Sequence, residues 1–264
     1  MKKSILFLSL SIVFFAQCSQ KTAQTNESSK QKDCPVPQDM LSNGNYVAKK
    51  ASEEPVIDGM GSEKSWELVP WRDIKYAWLG ETPSPQDFAG RYKILWTESR
   101  IYYLVEITDN VLSDQHKEAF DNWWEDDCLE LFIDEDKSGG DHQFNHSAFA
   151  YHITLDYDVV DMGPDKAPHL YNQDLETKRT KNGNIYTWEV GMKVFDKSYV
   201  DGKENKPVKL SEGKKLGFAV SYNDNDGTGG RENFMGSVAI APVNGDMNRG
   251  WIDSGVFGTL ELAK

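Results

Sequence analysis

Short runs of alternating apolar and polar residues, separated by turn-forming residues, restrict the fold of this chain more than any other feature. A period of two places successive side chains on opposite faces of a β-strand, and Gly, Asn, Asp and Pro between the runs favour turns. The runs are YKILWTES, IYYLVEITD, CLELFIDE, FAYHITLDYDVV, NIYTWEVGMKVF, KLGFAVSYND and VFGTLEL. No long stretch has a strong helical period. The pattern predicts an all-β fold, a single β-sandwich of two packed antiparallel sheets, immunoglobulin-like or jelly-roll-like.

The run NWWEDDCLELFID sets two tryptophans beside a group of acids at the start of a predicted strand, residues 128–133. Leu129, Leu131 and Ile133 share one face of this strand, which suits a core. Glu130 therefore lies on the opposite face, towards which the preceding tryptophan can reach. The function of that second face depends on the rest of the chain.

The N-terminal segment predicts export from a bacterium. Residues 1–17 have two lysines followed by a short apolar run, as in a signal peptide. The following FFAQC resembles the lipobox of bacterial lipoproteins, in which the cysteine, here Cys18, is lipidated, although Gln17 departs from that pattern. Residues 18–45 have the composition of a flexible tether, and the folded domain is predicted over 46–264. We expect a lipoprotein anchored at the outer membrane or cell surface, with a soluble secreted protein as the alternative.

Charge and cysteine content exclude some partners and constrain the core. The formal net charge of −13 argues against nucleic acid as a partner. A hydrophobic fraction of 39% over 264 residues is sufficient for one large core. A disulfide between Cys34 and Cys128 is conceivable, but we expect Cys128 to pack as a small side chain in a sheet.

Six segments in chain order resemble family 9 carbohydrate-binding modules, a group of β-sandwich domains often appended to xylan- and cellulose-degrading enzymes. The resemblance covers nearly the whole predicted domain. The segments are PVIDGMGSEKSW, YKILWTESRIYYLVEITD, WEDDCLELFIDED, IYTWEVGMKVF, LGFAVSYNDND and NRGWIDSGVFGTLEL.

The resemblance implies a carbohydrate site. Members of the family that bind sugar clamp a terminal saccharide between two tryptophans, while carboxylate and amide side chains hydrogen-bond its hydroxyls. By position, Trp124 and Trp251 match the two rings, and Glu130 and Asn248 match a sugar-binding glutamate and asparagine. Asn145 stands where some members carry an arginine, so one charge-assisted contact is lost. The implied function is binding the end of a xylan, cellulose or related plant-type glycan without catalysis, with glycoside hydrolases as potential partners.

The chemistry of a pyranose requires these residue types independently of any family. Its C–H face excludes water against a flat aromatic ring. Its rim of hydroxyls prefers charged or amide partners, because a carboxylate accepts hydrogen bonds and an amide both donates and accepts them.

The other tryptophans are predicted to serve packing, since a tryptophan in a β-sandwich is more often buried than bound to a ligand. This prediction covers Trp66, Trp71, Trp96 and Trp188, which lie within or at the ends of strand-like runs. Trp78 is left open.

Metal binding has weaker signals. The family resemblance implies structural calcium, for which Asp134, Asp136 or their neighbours are candidates. NDNDG at 223–227 is typical of a calcium loop but lacks its closing glutamate. The three histidines His142, His146 and His152 lie close together in sequence, but zinc usually requires a tighter constellation. We expect them to be surface and strand histidines.

Two alternative functions remain open. Paired carboxylates could make the chain a glycosidase, although the acids at 125–127 are predicted to lie in a solvated turn, and no acid is marked as buried with a raised pKa. A haem-binding electron-transfer domain of the same sandwich superfamily is the other alternative. Its candidate ligands would be the histidines together with Met162, Met192 and Met235.

Overall fold

A computed structural model describes residues 44–227 and 229–264. The predicted export signal, Cys18, Cys34 and nearly all of the predicted tether lie outside the described residues. Within the described part, we find no helix long and apolar enough to cross a membrane.

The described residues are organised almost entirely as strands. One helix of four residues, α1 (Lys64–Glu67), follows the first strand, and a 3-10 turn (Ser254–Val256) precedes the last. The strands are β1 (Asn45–Lys50), β2 (Arg72–Ile74), β3 (Tyr76–Leu79), β4 (Phe88–Trp96), β5 (Ile101–Asp109), β6 (Cys128–Asp134), β7 (Phe149–Ile153), β8 (Val159–Met162), β9 (Pro168–Leu170), β10 (Leu175–Asn182), β11 (Ile185–Met192), β12 (Lys215–Asp224), β13 (Asn233–Gly236) and β14 (Gly258–Ala263).

The strands form two layers joined through β1. One layer has the order β10-β11-β5-β4, and the other has the order β14-β12-β6-β7-β8-β9. β1 lies between them and pairs in parallel with both β4 and β14. The predicted purely antiparallel arrangement is therefore wrong at β1. Its partners lie far away in the chain, so no short hairpin forces an antiparallel pairing there.

The two layers pack face to face, which confirms the predicted β-sandwich. Phe88 of β4 stacks on Tyr222 of β12 with ring centroids 5.8 Å apart. Tyr92 of β4 contacts Phe218 of β12 at 6.3 Å. Buried residues of both layers form one large apolar cluster. Burial of this cluster removes a large apolar area from water and is the main stabilising contribution to the fold.

β6 lies in the middle of the second layer and shows the predicted alternation. Leu129, Leu131 and Ile133 belong to the large cluster between the layers. Phe132 points the other way, into a second cluster that includes Phe234. Every residue of β6 is nonetheless buried, because β13 and the surrounding loops cover the second face. The candidate site lies on this covered face.

Most of the predicted packing tryptophans are buried as expected. Trp71 is half-buried against the main cluster. Trp78 belongs to the second cluster, where its indole N–H donates to a backbone carbonyl 2.8 Å away. Fully buried members of the predicted set are Trp66, Trp96 and Trp188. Cys128 is also buried, as predicted.

Candidate functional site

A cavity of about 500 Å³ lies over the second face of β6. Its walls are largely aromatic, and several charged and amide groups project between the rings. The aromatic residues are Trp123, Trp124, Phe144, Phe234 and Trp251. A concave, mostly apolar pocket with a few convergent polar groups is typical of a small-molecule site.

The structure brings four of the five predicted site residues together. Trp124, Trp251, Glu130 and Asn248 all line this cavity. Asn145 does not: its side-chain oxygen accepts from the Ser147 amide and its amide group donates to a backbone carbonyl, so both ends are used within its own loop. The neighbouring residue, Phe144, lines the cavity instead.

Trp123 and Trp124 both line the cavity, whereas strand alternation beginning at these residues would have pointed their side chains to opposite faces. Their ring centroids are 4.6 Å apart and their planes meet at 83°, an edge-to-face geometry that aromatic quadrupoles favour. Such alternation does not apply here, because β6 begins only at Cys128. The rings lie in a turn instead, closed by the Glu125 amide donating to the Asn122 carbonyl at 2.8 Å. Asn122 has a φ of 45°, a conformation that asparagine tolerates better than most residues.

Trp251 lies on the other loop of the site and is 38% exposed. Its loop is held by His142, whose Nε2 lies 2.7 Å from the Gly250 carbonyl oxygen. The backbone amide of His142 also donates to the Ile252 carbonyl, at 2.9 Å. His142 thus contacts the residues immediately before and after Trp251, and these two contacts fix the backbone that carries the ring.

Glu130 is buried, with 1% of its surface exposed. Asn223 Nδ2 donates to its Oε1 at 2.6 Å, and His152 Nε2 lies 2.9 Å from the same oxygen. The second oxygen, Oε2, has no hydrogen bond among the described residues and is available to a ligand. Glu130 therefore lies on the face opposite the core residues, as predicted, but this face is buried because β13 and the surrounding loops cover it.

His152 was not identified from the sequence as a site residue, although it lies directly opposite Glu130 in the β6–β7 register. Its Nδ1 is 3.0 Å from the Ala150 carbonyl oxygen. Burial lowers the pKa of His152, but the neighbouring Glu130 and Asp161 carboxylates outweigh it, and the net shift is upward. The signal that could have identified this residue is the alternation of FAYHI, which puts His152 and Ala150 on one face.

Asp161 and Arg231 complete the charged set, and no local pattern in the sequence marks either of them. Burial raises the pKa of Asp161 to about 7, although its two oxygens accept from the backbone amides of Ala150 and Met162 at 2.8 and 2.7 Å. The Arg231 guanidinium donates to Asn223 Oδ1 at 2.9 Å. Its central carbon lies 4.8 Å from the Phe234 ring centroid, a cation–π geometry.

The acids at 125–127 do not form the solvated turn that was predicted. Asp127 is 1% exposed and accepts from the backbone amides of Ser113 and Asn225. Asp126 accepts from the His116 amide at 2.6 Å. Burial, followed by the charge of other acids nearby, raises the pKa of Asp127 to about 9. These carboxyls tie the tryptophan-bearing loop to the segment after β5 and to Asn225 after β12, and they do not line the cavity.

Two groups of acids that the sequence pointed to could hold calcium, and both fit its preference for carboxylate oxygens. Asp134 is fully buried, and its Oδ1 has no hydrogen-bond partner. Asp136 lies within hydrogen-bonding reach of it. The other candidate joins two acids of NDNDG to the end of β5: Asp109, Asp224 and Asp226 each place a carboxylate oxygen within 4.8 Å of the others. A cation would neutralise the repulsion in either group.

The histidines and methionines do not converge on a metal or a haem in the described part of the chain. His142, His146 and His152 are all buried, contrary to the expectation of surface positions for some of them. Each faces a different partner, and both ring nitrogens of His152 are occupied. Met192 and Met235 lie within the main cluster, so neither could reach a ligand. Met162 does line the cavity with His152, but both ring nitrogens of that histidine already have partners.

Comparison with known proteins places this architecture in a family. A xylanase from Thermotoga neapolitana, endo-1,4-beta-xylanase A, is 26% identical over 223 residues. The match covers 84% of this chain but only 18% of the xylanase. Two solved structures of family 9 carbohydrate-binding modules from Caldicellulosiruptor kristjanssonii, one with glucose and one with cellotriose, are 17% identical to the chain with TM-scores of 0.62 and 0.61. They align over 83% of this chain and over 96% and 93% of their own.

A sequence profile of the family described as carbohydrate family 9 binding domain-like matches residues 57–264. This span contains every cavity-lining residue named above and all strands except β1. The resemblance predicted from the six sequence segments is thereby confirmed. The chain belongs to the carbohydrate family 9 binding domain-like family.

Proposed function

We propose that this protein binds the end of a glycan in the cavity, with Trp124 and Trp251 against the faces of one sugar residue. Glu130 and Asn248 would hydrogen-bond its hydroxyls. The observation that carries the proposal is that these four residues line one cavity. They come from two segments of the chain, one at 124–130 and the other at 248–251, which are more than a hundred residues apart.

The cavity offers the two kinds of contact that a sugar requires. Indole rings present flat apolar surfaces to the C–H faces of a pyranose. Glu130 offers Oε2 as an acceptor, and the side chain of Asn248 has no hydrogen bond among the described residues. Because Asn223 and His152 already orient Glu130, a ligand loses little free energy in ordering this side chain.

A β-linked plant glycan is the proposed substrate class. The two similar structures are complexes with glucose and with cellotriose, and the similar enzyme is a xylanase. The match covers less than a fifth of that xylanase, and in this chain the family profile spans residues 57–264. We therefore propose that it serves glycoside hydrolases by holding a glycan end.

Catalysis is the alternative, because two carboxyl groups, Glu130 and Asp161, line the same cavity. A glycosidase needs one of its acids free to donate a proton to the leaving oxygen. Asp161 uses both oxygens as acceptors for backbone amides, and Glu130 is paired with His152. Neither carboxyl is placed as a proton donor, which favours binding without cleavage.

Isothermal titration against glucose, cellobiose, cellotriose, xylobiose and mannobiose tests the proposal. We expect saturable binding to at least one β-linked oligosaccharide, with one site per chain. The same mixtures, assayed for new reducing ends, should match an enzyme-free blank. No binding across the panel, or sugar release that disappears in Glu130→Gln, would overturn the proposal.

Anchoring through Cys18 is proposed separately, on the sequence of the N-terminal segment alone. The native protein should partition with membranes, and Cys18→Ser should release it, since buried acyl chains contribute about 0.8 kcal/mol per methylene. A wild-type protein found wholly in the soluble fraction would contradict the anchor.

A further inference from the structure

We propose that His152, as a buried imidazolium, holds Glu130 in its binding orientation, and that glycan binding at this site weakens when His152 is deprotonated. His152 is thus a positioning residue that acts through Glu130. This inference rests on the proposed function and adds to it a protonation requirement.

The hydrogen-bond geometry carries the charge assignment. His152 Nε2 lies 2.9 Å from Glu130 Oε1, and Nδ1 lies 3.0 Å from the Ala150 carbonyl oxygen. Both partners are acceptors. A neutral imidazole has one N–H, whereas the imidazolium has two. Only the charged form donates to both partners.

The groups around His152 stabilise its positive charge. Glu130 on β6 and Asp161 on β8 are the acidic groups that act on it. The Trp123 ring packs against the imidazole at 90°, with centroids 6.2 Å apart. The other cation of the cavity, Arg231, contacts Asn223 and Phe234. With His152 protonated and Asp161 ionised, two positive and two negative side chains balance in the cavity.

Loss of the proton would place a lone pair against an acceptor. If the remaining hydrogen stays on Nδ1, the Nε2 lone pair faces Glu130 Oε1, and if it stays on Nε2, the Nδ1 lone pair faces the Ala150 carbonyl. In a buried site, leaving a charged group without its hydrogen-bond partner costs more than losing a hydrogen bond between neutral groups. Glu130 would then lose the contact that fixes its Oε1 and points Oε2 at the ligand.

The charge state is tested without any sugar. Imidazole ¹H–¹⁵N NMR spectra of the wild-type protein should show His152 doubly protonated at neutral pH and losing its proton above the ordinary histidine range. The Asp161→Asn variant should titrate at lower pH, because one of the two neighbouring negative charges is gone. A neutral His152 at about pH 6 would overturn the inference.

The role in binding is tested by measuring the affinity for cellotriose from about pH 6 to about pH 9.5, a range that spans the titration of a histidine with a raised pKa. Wild-type affinity should fall by about tenfold or more as His152 deprotonates, the scale of one charge-assisted hydrogen bond. His152→Gln should bind weakly at every pH. His152→Arg, which keeps the charge, should bind more tightly than His152→Gln and without the pH step.

His169→Gln is the matched control, because His169 pairs with Asp165 through Nε2 at 2.9 Å and does not line the cavity. It should keep the wild-type pH profile. If sugar binds equally at both ends of the pH range and in His152→Gln, the inference alone fails. If no oligosaccharide binds at any pH, the proposed function fails and the inference fails with it.

Discussion

The two faces of β6 are equally buried, yet they are built from different interactions. Leu129, Leu131 and Ile133 pack into the apolar cluster between the layers. On the other face, Glu130 is bound by His152 and Asn223, residues of the two neighbouring strands. Burial alone therefore does not distinguish core from site in this fold. The distinguishing feature is a polar group whose partners come from other strands.

This difference follows from the physics of each interaction. Apolar burial is non-directional and roughly proportional to the area removed from water, so one side chain can be replaced by another of similar size. A buried carboxylate is stable only with specific donors at hydrogen-bonding distance. The second face consequently tolerates fewer substitutions at the residues that donate to Glu130, and it presents a fixed polar group to the cavity.

The largest expected effect is on stability at the apolar face. Leu131→Ala should lower the free energy of unfolding by about 2–5 kcal/mol, the cost of a cavity in a packed core. Oligosaccharide affinity of the folded fraction should be unchanged. Urea denaturation and calorimetric titration measure the two quantities. A loss of affinity without a loss of stability would break the separation between the faces.

Glu130→Gln should affect both properties, because it removes the charge opposite His152. We expect a stability loss of about 1–3 kcal/mol, the cost of leaving a buried polar group without its partner, together with weaker binding. The pKa of His152 is raised in the fold, so the pair stabilises most below the ordinary histidine pKa and less as pH rises through the raised value. The deficit of the variant should therefore shrink at alkaline pH. A constant deficit across pH would contradict the pairing.

Acids at the ends of β5, β6 and β12 sharpen the comparison, since Asp109, Asp134 and Asp224 are buried like Glu130 but lack its histidine partner. Calcium at about tenfold over its dissociation constant should add about 1.4 kcal/mol of stability, and a chelator should reverse the gain. Asp136→Asn should abolish the effect if the ion binds beside Asp134, and Asp226→Asn should abolish it if the ion binds beside Asp109 and Asp224. Identical melting temperatures with calcium and with chelator would exclude a stabilising ion at either place.

Two asparagines provide the smallest and most local test of the second face. Asn248 lines the cavity, whereas Asn145 is used within its own loop. Asn248→Ala should weaken oligosaccharide binding by about 0.5–1.5 kcal/mol, the net value of one hydrogen bond. Asn145→Ala should leave affinity unchanged. Equal losses in the two variants would place the ligand elsewhere.

Local patterns in the sequence were sufficient for the sandwich and for the face assignment of β6, because side-chain alternation depends only on the strand itself. They were insufficient for β1, whose parallel partners lie far away in the chain. The same limit applies to Trp123, whose direction is set by the turn at Asn122.

The family resemblance pointed to four residues of the cavity, but the sequence alone did not show how Glu130 is held. Its partners His152 and Asn223 and the further cation Arg231 are distant in sequence and meet only after the strands pair. The acids at 126 and 127 were misassigned for a related reason. Their hydration depends on the loops that cover them, which local polarity does not reveal.

The central claim is that Trp124 and Trp251 hold one sugar residue in the cavity, and calorimetric titration of single-alanine variants with cellotriose tests it most directly. Ile185→Ala is the control, since Ile185 is 41% exposed at the start of β11, in the other layer. Trp124→Ala and Trp251→Ala should each weaken binding by about 1–3 kcal/mol, the scale of aromatic stacking on nucleic-acid bases, while Ile185→Ala binds like the wild type. Thermal melts should show that all three variants remain folded. Wild-type affinity in both tryptophan variants would contradict the account.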